Sequence, residues 1–222
     1  TDVHSDLLGE CDLIFGPDRI PEVDVLFLCL GHGESKAFLE KQILPEQVRI
    51  IDLTRDFRFE PHPQRRFIYG LPEANRLQIM NSGNIANPGC FATAMELAML
   101  PLSVYRLLPP EMHVSGITGS TGAGRKPTAT THFSWRSANA ALYKPFTHQH
   151  LREVRLLLES FQHDWDGRIH FIPYRGSFAR GILVSVYGQW DRSRNDAVSL
   201  FESYYDQHPF VHLSQTNPDV KQ

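Results

Sequence analysis

VDVLFLCLGHGESKAFLEKQILPEQVRIIDL, residues 23–53, is the stretch that decides the fold. Val23–Leu30 is a short apolar run that follows Pro21 and stops at Gly31, the pattern of a buried strand. Glu34–Gln42 sets Phe38 and Leu39 on one side and reads as a short helix, and Val48–Leu53 is a second buried strand. Strand, helix and strand in that order make a βαβ unit with parallel strands. Such sheets take their ligands beyond the carboxyl ends of the strands. Those ends are Gly31-His32-Gly33 and Asp52-Leu53-Thr54-Arg55-Asp56-Phe57-Arg58.

Downstream, Pro61–Asn84 is turn-rich and carries Tyr69-Gly70-Leu71-Pro72-Glu73. Ile85-Ala86 runs into Asn87-Pro88-Gly89-Cys90, after which Phe91–Leu102 has a helical pattern that Pro101 is expected to close. Pro109-Pro110 reads as a boundary between two lobes. Met112–Thr118 reads as a strand leading into Gly119-Ser120-Thr121-Gly122-Ala123-Gly124. Thr128–Asn139 is polar and takes no assignment. Leu151–Phe161 is an amphipathic helix, Ile169–Ile172 and Gly181–Tyr187 are strands, and Phe201 onwards starts helical and then turns polar.

The chain's 222 residues fit one large domain or two small ones. Its 22 Lys+Arg against 25 Asp+Glu, a net charge of -3, give no electrostatic case for a nucleic-acid partner. The longest apolar run is far short of the roughly 20 residues of a membrane helix. Cys11, Cys29 and Cys90 form neither a disulfide framework nor a CxxC zinc pair. The expectation is a soluble protein of a reducing compartment. The chain opens at Thr1 without Met and ends at Asn217–Gln222, and is read as a piece of something longer.

Cys90 is the sharpest chemical feature. A cysteine at a helix start feels unpaired amides and the positive end of the dipole, a setting that favours the thiolate; the plainer reading is a small residue buried at a helix start. Cys29, inside the first strand, reads as core. A thiolate nucleophile needs a proton acceptor, and His148-Gln149-His150 is the best supplier, with Glu153 placed to orient an imidazole. Ordinary surface histidines or a metal pair remain open readings of the same residues. Gly119–Gly124 could bring backbone amides to an anion, and Arg58 could clamp a phosphate or carboxylate. Together these parts suit acyl chemistry on a charged small molecule, without separating a hydrolase from a reductase.

Asn87-Pro88-Gly89-Cys90-Phe91-Ala92-Thr93 resembles the active-site signature of the N-acetyl-γ-glutamyl-phosphate reductase family. Six more segments resemble that family in chain order: Leu30–Ser35, with Gly31 in place of its proline, Asp52–Arg58, Tyr69–Glu73, Thr121–Arg125, His148–Glu153 and Arg180-Gly181-Ile182. The resemblance implies an α/β protein, with a partial Rossmann-type parallel-sheet nucleotide-binding domain at 1–89 and an α+β catalytic and oligomerisation domain at 90–222. It implies NADPH-dependent reduction of an N-acyl-γ-glutamyl phosphate through a Cys90 thioester, in arginine biosynthesis. His150 is the favoured proton-handling partner, with His148 beside it. Arg58, Thr121, Tyr143 and Glu153 fall on the substrate side, Glu153 orienting a histidine. Gly31, His32, Asn87, Gly122 and Gly124 fall beside NADP(H), with no metal. A cytoplasmic homodimer or homotetramer built through the second lobe's sheet is implied, with a small-molecule substrate and no nucleic-acid or membrane partner.

The alternatives are another acyl-phosphate reductase of the aspartate-semialdehyde dehydrogenase kind, a Cys-His hydrolase or acyltransferase, and a non-catalytic binding fragment. Two departures stand out. The family's Gly-x-x-Gly-x-x-Gly phosphate turn has no counterpart before Asp12, so a first βα unit of roughly 30 or more residues is expected to be missing, as are the family's last strands and helix. Thr130–Arg136 also departs from the family pattern, and Arg136 or His132 there could read an acyl group larger than acetyl, such as succinyl.

Overall fold

The structure is a computed structural model that describes residues 10, 16, 20, 22–60, 62–124 and 128–220. Cys11, Pro21 and Arg125 lie outside the described residues.

The βαβ unit is present. β1 (Val25–Leu28), α1 (Glu34–Lys41) and β2 (Arg49–Asp52) are followed by β3 (Ile68–Tyr69), α2 (Pro72–Met80) and β4 (Asn84–Ala86). The four strands form an all-parallel sheet in the order β1-β2-β4-β3. Leu28, Leu39, Ile50, Phe57 and Ala86 make its core on one face. The strand alternation sends Val25 and Phe27 to the other face, where both are exposed, so β1 is half-buried rather than buried. Cys29 follows in the same alternation and is exposed, not core.

The second lobe begins with α3 (Cys90–Val104) and β5 (Glu111–Thr118). A 3-10 turn at Ser120–Ala123, α4 (Phe133–Arg136), β6 (Ala141–Leu142), α5 (His150–Phe161), β7 (Arg168–Arg175), β8 (Ile182–Gly188) and α6 (Arg194–Tyr205) complete it. Its sheet runs β6-β7-β5-β8, with β5 and β7 parallel and the outer strands antiparallel to them. α3 and α5 cover one face, where Phe91, Met95, Met99, Met112, Val114, Val154, Leu158 and Phe171 interlock. Because α3 and β5 share that core, Pro109-Pro110 is a turn inside the second lobe and not a boundary. Trp165 Nε1 and the Arg168 amide donate to its two carbonyls.

Proline accounts for two further differences. Pro72 starts α2 in a stretch expected to be turns: at the first helical position the missing N–H leaves no bond unmade. Pro101 does not close α3, which runs on to Val104. A proline inside a helix orphans the carbonyl four residues back, here that of Leu97, and the Tyr205 hydroxyl of α6 donates to it at 2.5 Å. α6 itself starts before Phe201, at a Ser193/Asp196 capping box. Among the described residues no helix is long and apolar enough to cross a membrane.

Tyr205→Phe keeps the ring and removes only the donor to Leu97. It should lower unfolding free energy in urea by about 1–2 kcal/mol, the range for a buried carbonyl left unpaired. An unchanged midpoint would mean that water or a shift of α3 serves Leu97 instead.

Candidate functional site

The site forms where β4 runs through Asn87-Pro88-Gly89 into α3. Gly89 is the N-cap, in extended conformation, and no side chain caps the helix. The Gly89 amide donates instead to Glu153 Oε1 of α5 at 2.6 Å. The same carboxylate accepts from Arg58 Nη1 at 3.0 Å and from the Tyr69 hydroxyl at 2.7 Å. Arg58 Nε donates to the Asn87 carbonyl at 2.8 Å. Residues from both lobes therefore close on one buried carboxylate beneath the cysteine.

Proton counting settles the charge below it. The Tyr69 hydroxyl lies 2.8 and 3.0 Å from the two oxygens of Glu96, a residue of α3 with no exposed surface. One hydroxyl proton cannot serve two carboxylates. Burial pushes the Glu96 acid up to about 8, so at neutral pH Glu96 carries the proton and donates to Tyr69. Tyr69 donates in turn to Glu153, the charged partner of Arg58. Burial and the two acids hold the Tyr69 phenol far above its usual range.

His150, the first residue of α5, lays Nε2 where a Cβ on Gly89 would stand, so only glycine fits beside this imidazole. His148 is buried, with ring edges against Phe91, Phe171 and Tyr143, and its Nδ1 accepts from the His150 amide at 3.2 Å. Burial lowers both imidazoles to about 4, the first helped by His150 and the second by the Arg58 cation. Both are neutral at pH 7.

The Cys90 thiol differs from the expectation. Cys90 is exposed at the helix start, not buried there. Its own amide, that of Phe91 and Arg58 favour the thiolate, yet partial loss of water around the sulfur outweighs them and pushes the thiol up, with Glu153 adding to the rise. The free site thus pairs a protonated thiol with neutral imidazoles.

A cleft of about 530 Å³ opens on this centre, lined in part by His32, Lys36, Arg55, Arg58, His150 and Arg152. Several expected residues have other partners than foreseen. Glu153 contacts no histidine and instead fixes the Gly89 turn. Arg58 lines the cleft, but two of its three nitrogens are committed to Asn87 and Glu153. Thr121 ties its hydroxyl to the Ala179 carbonyl, and Gly122 and Gly124 share its 3-10 turn and C-cap, away from the residues that line this cleft. Tyr143 lies under Arg175, 4.3 Å from ring centre to guanidinium. His32 accepts from the Arg55 amide through Nδ1 and faces the cleft. Tyr69 and Glu96 were not foreseen as site residues. Glu96 was visible as the one carboxylate in the apolar stretch Ala94–Leu102.

The described residues meet a dinucleotide only in part. The amides at the start of α1, where a parallel sheet would offer a phosphate site, are already taken. Gly33 and Lys36 donate to Asp56 at 2.7 and 3.2 Å, and Gly31 to Glu34 at 2.8 Å. No cluster of three or more potential metal ligands occurs among the described residues.

Two family models match the chain: the semialdehyde dehydrogenase NAD-binding domain over residues 1–82 and the semialdehyde dehydrogenase dimerisation domain over 90–222. The chain is 48% identical, over its full length, to an N-acetyl-gamma-glutamyl-phosphate reductase from Parabacteroides distasonis, and covers 69% of it. It is 49% identical to the protein of the same name from Azobacteroides pseudotrichonymphae, again over its full length and 68% of the relative. Among solved structures it is similar to aspartate semialdehyde dehydrogenase II from Vibrio cholerae complexed with ASA. The TM-score is 0.60 at 15% identity, over 89% of this chain and 65% of that one. That likeness speaks to the fold, and the chain spans slightly less than two thirds of the solved protein.

Glu96→Gln tests the proton assignment through stability. The folded Glu96 acid binds its proton up to about pH 8, whereas an unfolded glutamate releases it near 4.3. Its contribution is therefore complete below the unfolded value and lost as pH rises towards 8. Glutamine, which keeps a donor to Tyr69, should gain in melting temperature over the parent between pH 5 and pH 8. A difference independent of pH would place the proton elsewhere.

Proposed function

The chain belongs to the N-acetyl-gamma-glutamyl-phosphate reductase family, within the semialdehyde dehydrogenases, and from that premise we propose that it reduces an N-acyl-γ-glutamyl phosphate to the semialdehyde, releasing phosphate, as a step of arginine biosynthesis. The observation that carries this reading is the Gly89-Cys90 turn held by Glu153 with a neutral imidazole laid over Gly89.

The geometry supports the following roles. His150, neutral at pH 7, takes the thiol proton as Cys90 sulfur attacks the γ-carbonyl carbon. The carbonyl oxygen gains negative charge close to the amides at the start of α3, which stabilise it. The C–O bond to phosphate then breaks, leaving a Cys90 thioester. NADP(H) is the nicotinamide cofactor in this reading and, when bound, supplies the hydride that reduces the thioester carbon. His150 returns a proton as the carbon–sulfur bond opens and the thiol is restored. His148 fills the space behind His150 and holds its amide through Nδ1. Glu153 and Arg58 act as positioning residues: Arg58 holds the Asn87 carbonyl, Glu153 the Gly89 amide, and Arg58 adds positive charge at the cleft for the leaving phosphate. In this reading His32, Asn87 and Gly31 would lie beside the nicotinamide, and Gly122 and Gly124 would serve the cofactor from a turn that does not line the cleft in the free chain.

Residues 1–89 form the nucleotide-binding part in this reading, and 90–222 the catalytic and oligomerisation part of a cytoplasmic homodimer or homotetramer. Support for assembly through the second sheet comes from its uncovered face. There His170, His113 and Tyr187 stack across three strands, at 4.9 and 5.2 Å between ring centres.

Phosphate-dependent reduction of NADP by an N-acylglutamate semialdehyde, run in the reverse direction with the full-length protein, is the direct assay. A hydrolase would show no such dependence. Cys90→Ala should abolish it while nicotinamide binding, followed by fluorescence, persists. Gly89→Ala displaces the His150 ring and should lower kcat/KM by about 100-fold, the scale of an ångström-sized misplacement. Near-parental rates in either variant would contradict the assigned roles.

A further inference from the structure

Two arginines near the site carry charge that no carboxylate among the described residues balances. Arg136 ends α4 and is 7% exposed. Its Nη2 donates to the Gly176 carbonyl at 2.6 Å, while Nη1 is buried with no hydrogen-bond partner. Arg175, the last residue of β7, donates from Nη1 to the Thr130 hydroxyl at 3.1 Å and stacks on Tyr143. Among the described residues neither forms an ion pair with a carboxylate. Burial and the neighbouring Arg175 cation lower the pKa of Arg136, as expected of two like charges held close together. Buried guanidinium groups are ordinarily paired, so this arrangement lacks an anion.

Its position ties that anion to the chemistry. β5 and β7 are parallel, so Arg175 stands at the same sheet edge as Thr118, and the Gly176 amide donates to the Thr118 carbonyl. The first turn of α3 covers that end: the Phe91 ring lies 2.7 Å from where a Cβ on Gly116 would be. Tyr143 bridges the two regions, with Arg175 on one side and the His148 ring 5.6 Å away on the other. Two guanidinium groups and a tyrosine hydroxyl with no hydrogen-bond partner among the described residues suit a carboxylate, which accepts from paired N–H forks. His132, the other candidate in this segment, is already used: its Nδ1 caps α4 by accepting from the Trp135 amide.

We propose that Arg136 and Arg175, with Tyr143, form the subsite that binds a carboxylate of the acyl-glutamyl substrate. The inference rests on the reductase reading. The carboxylate is either the α-carboxylate common to all such substrates or one at the end of the acyl chain, as in a succinyl group.

The experiment measures the reverse reaction of the full-length protein with N-acetyl- and N-succinylglutamate semialdehyde, and binding of N-acetyl- and N-succinylglutamate by calorimetry. The variants are Arg175→Gln and Arg136→Lys, which keeps the charge and removes the fork. Each should raise KM about tenfold or more with kcat within about threefold, and leave the melting temperature unchanged. Loss confined to the succinyl compounds assigns the acyl carboxylate; equal loss on both assigns the α-carboxylate. Unchanged KM and affinity on all compounds in both variants overturns the subsite. A parent protein that binds N-acylglutamate through these arginines yet reduces no NADP keeps the subsite and overturns the reductase reading beneath it.

Discussion

The carboxylate of Glu153 is the constraint on which the rest of the site depends. It is one side chain on the second lobe, and it receives Arg58 and Tyr69 from the first lobe and the Gly89 amide from the turn between them. A charge this deeply buried persists only when paired and hydrogen-bonded. Every one of those donors is therefore held to a fixed place, including the backbone that carries Cys90. Removing the carboxylate would free the turn and leave the Arg58 cation buried without its counter-ion. The second acid of the pair, Glu96, avoids a like-charge conflict by keeping its proton. Tyr69 passes the hydrogen-bond polarity from one acid to the other.

Loss of water also decides the state of the exposed Cys90 thiol. A helix start and a nearby arginine contribute fractions of a kcal/mol to a few kcal/mol in favour of a thiolate. Here the loss of water around the sulfur exceeds them, and the histidines are driven neutral for the same reason. The free site is thus a neutral thiol near two neutral imidazoles, and in the proposed reaction charge would separate only as the sulfur meets a carbonyl carbon. Gly89 makes this possible by having no side chain where the imidazole must lie.

The parallel βαβ lead-in, α5 and the strands of the second sheet could be read from the chain, because they depend on local pattern. The apolar run before Gly31, the amphipathic α5 and the Pro-Gly-Cys turn carry their meaning within a few residues. What escaped depends on distant partners. Glu96 looks like a misplaced charge until Tyr69, 27 positions earlier, is seen beside it. Glu153 follows His150 by three residues, which suggested a histidine partner, but the helix points the carboxylate under the Gly89 turn instead. Pro101 reads as a helix stop because nothing local shows that Tyr205 will satisfy Leu97. The direction of the Cys90 shift follows from partial loss of water around the sulfur and from Glu153, neither of which a short motif reports.

The most direct measurement of this account is the pH dependence of Cys90 alkylation by iodoacetamide in the parent protein and in Glu153→Gln, set beside turnover. In the parent, reactivity should rise with a midpoint above that of an ordinary thiol, since partial loss of water around the sulfur and the Glu153 charge hold the proton on it. Glu153→Gln removes a nearby negative charge, so the midpoint should fall, while turnover drops by about 100-fold because Arg58 loses its counter-ion and the Gly89 turn is held less firmly. A parent midpoint below neutrality, or a variant that keeps both its turnover and its midpoint, would contradict the claim that Glu153 positions a neutral thiol for attack.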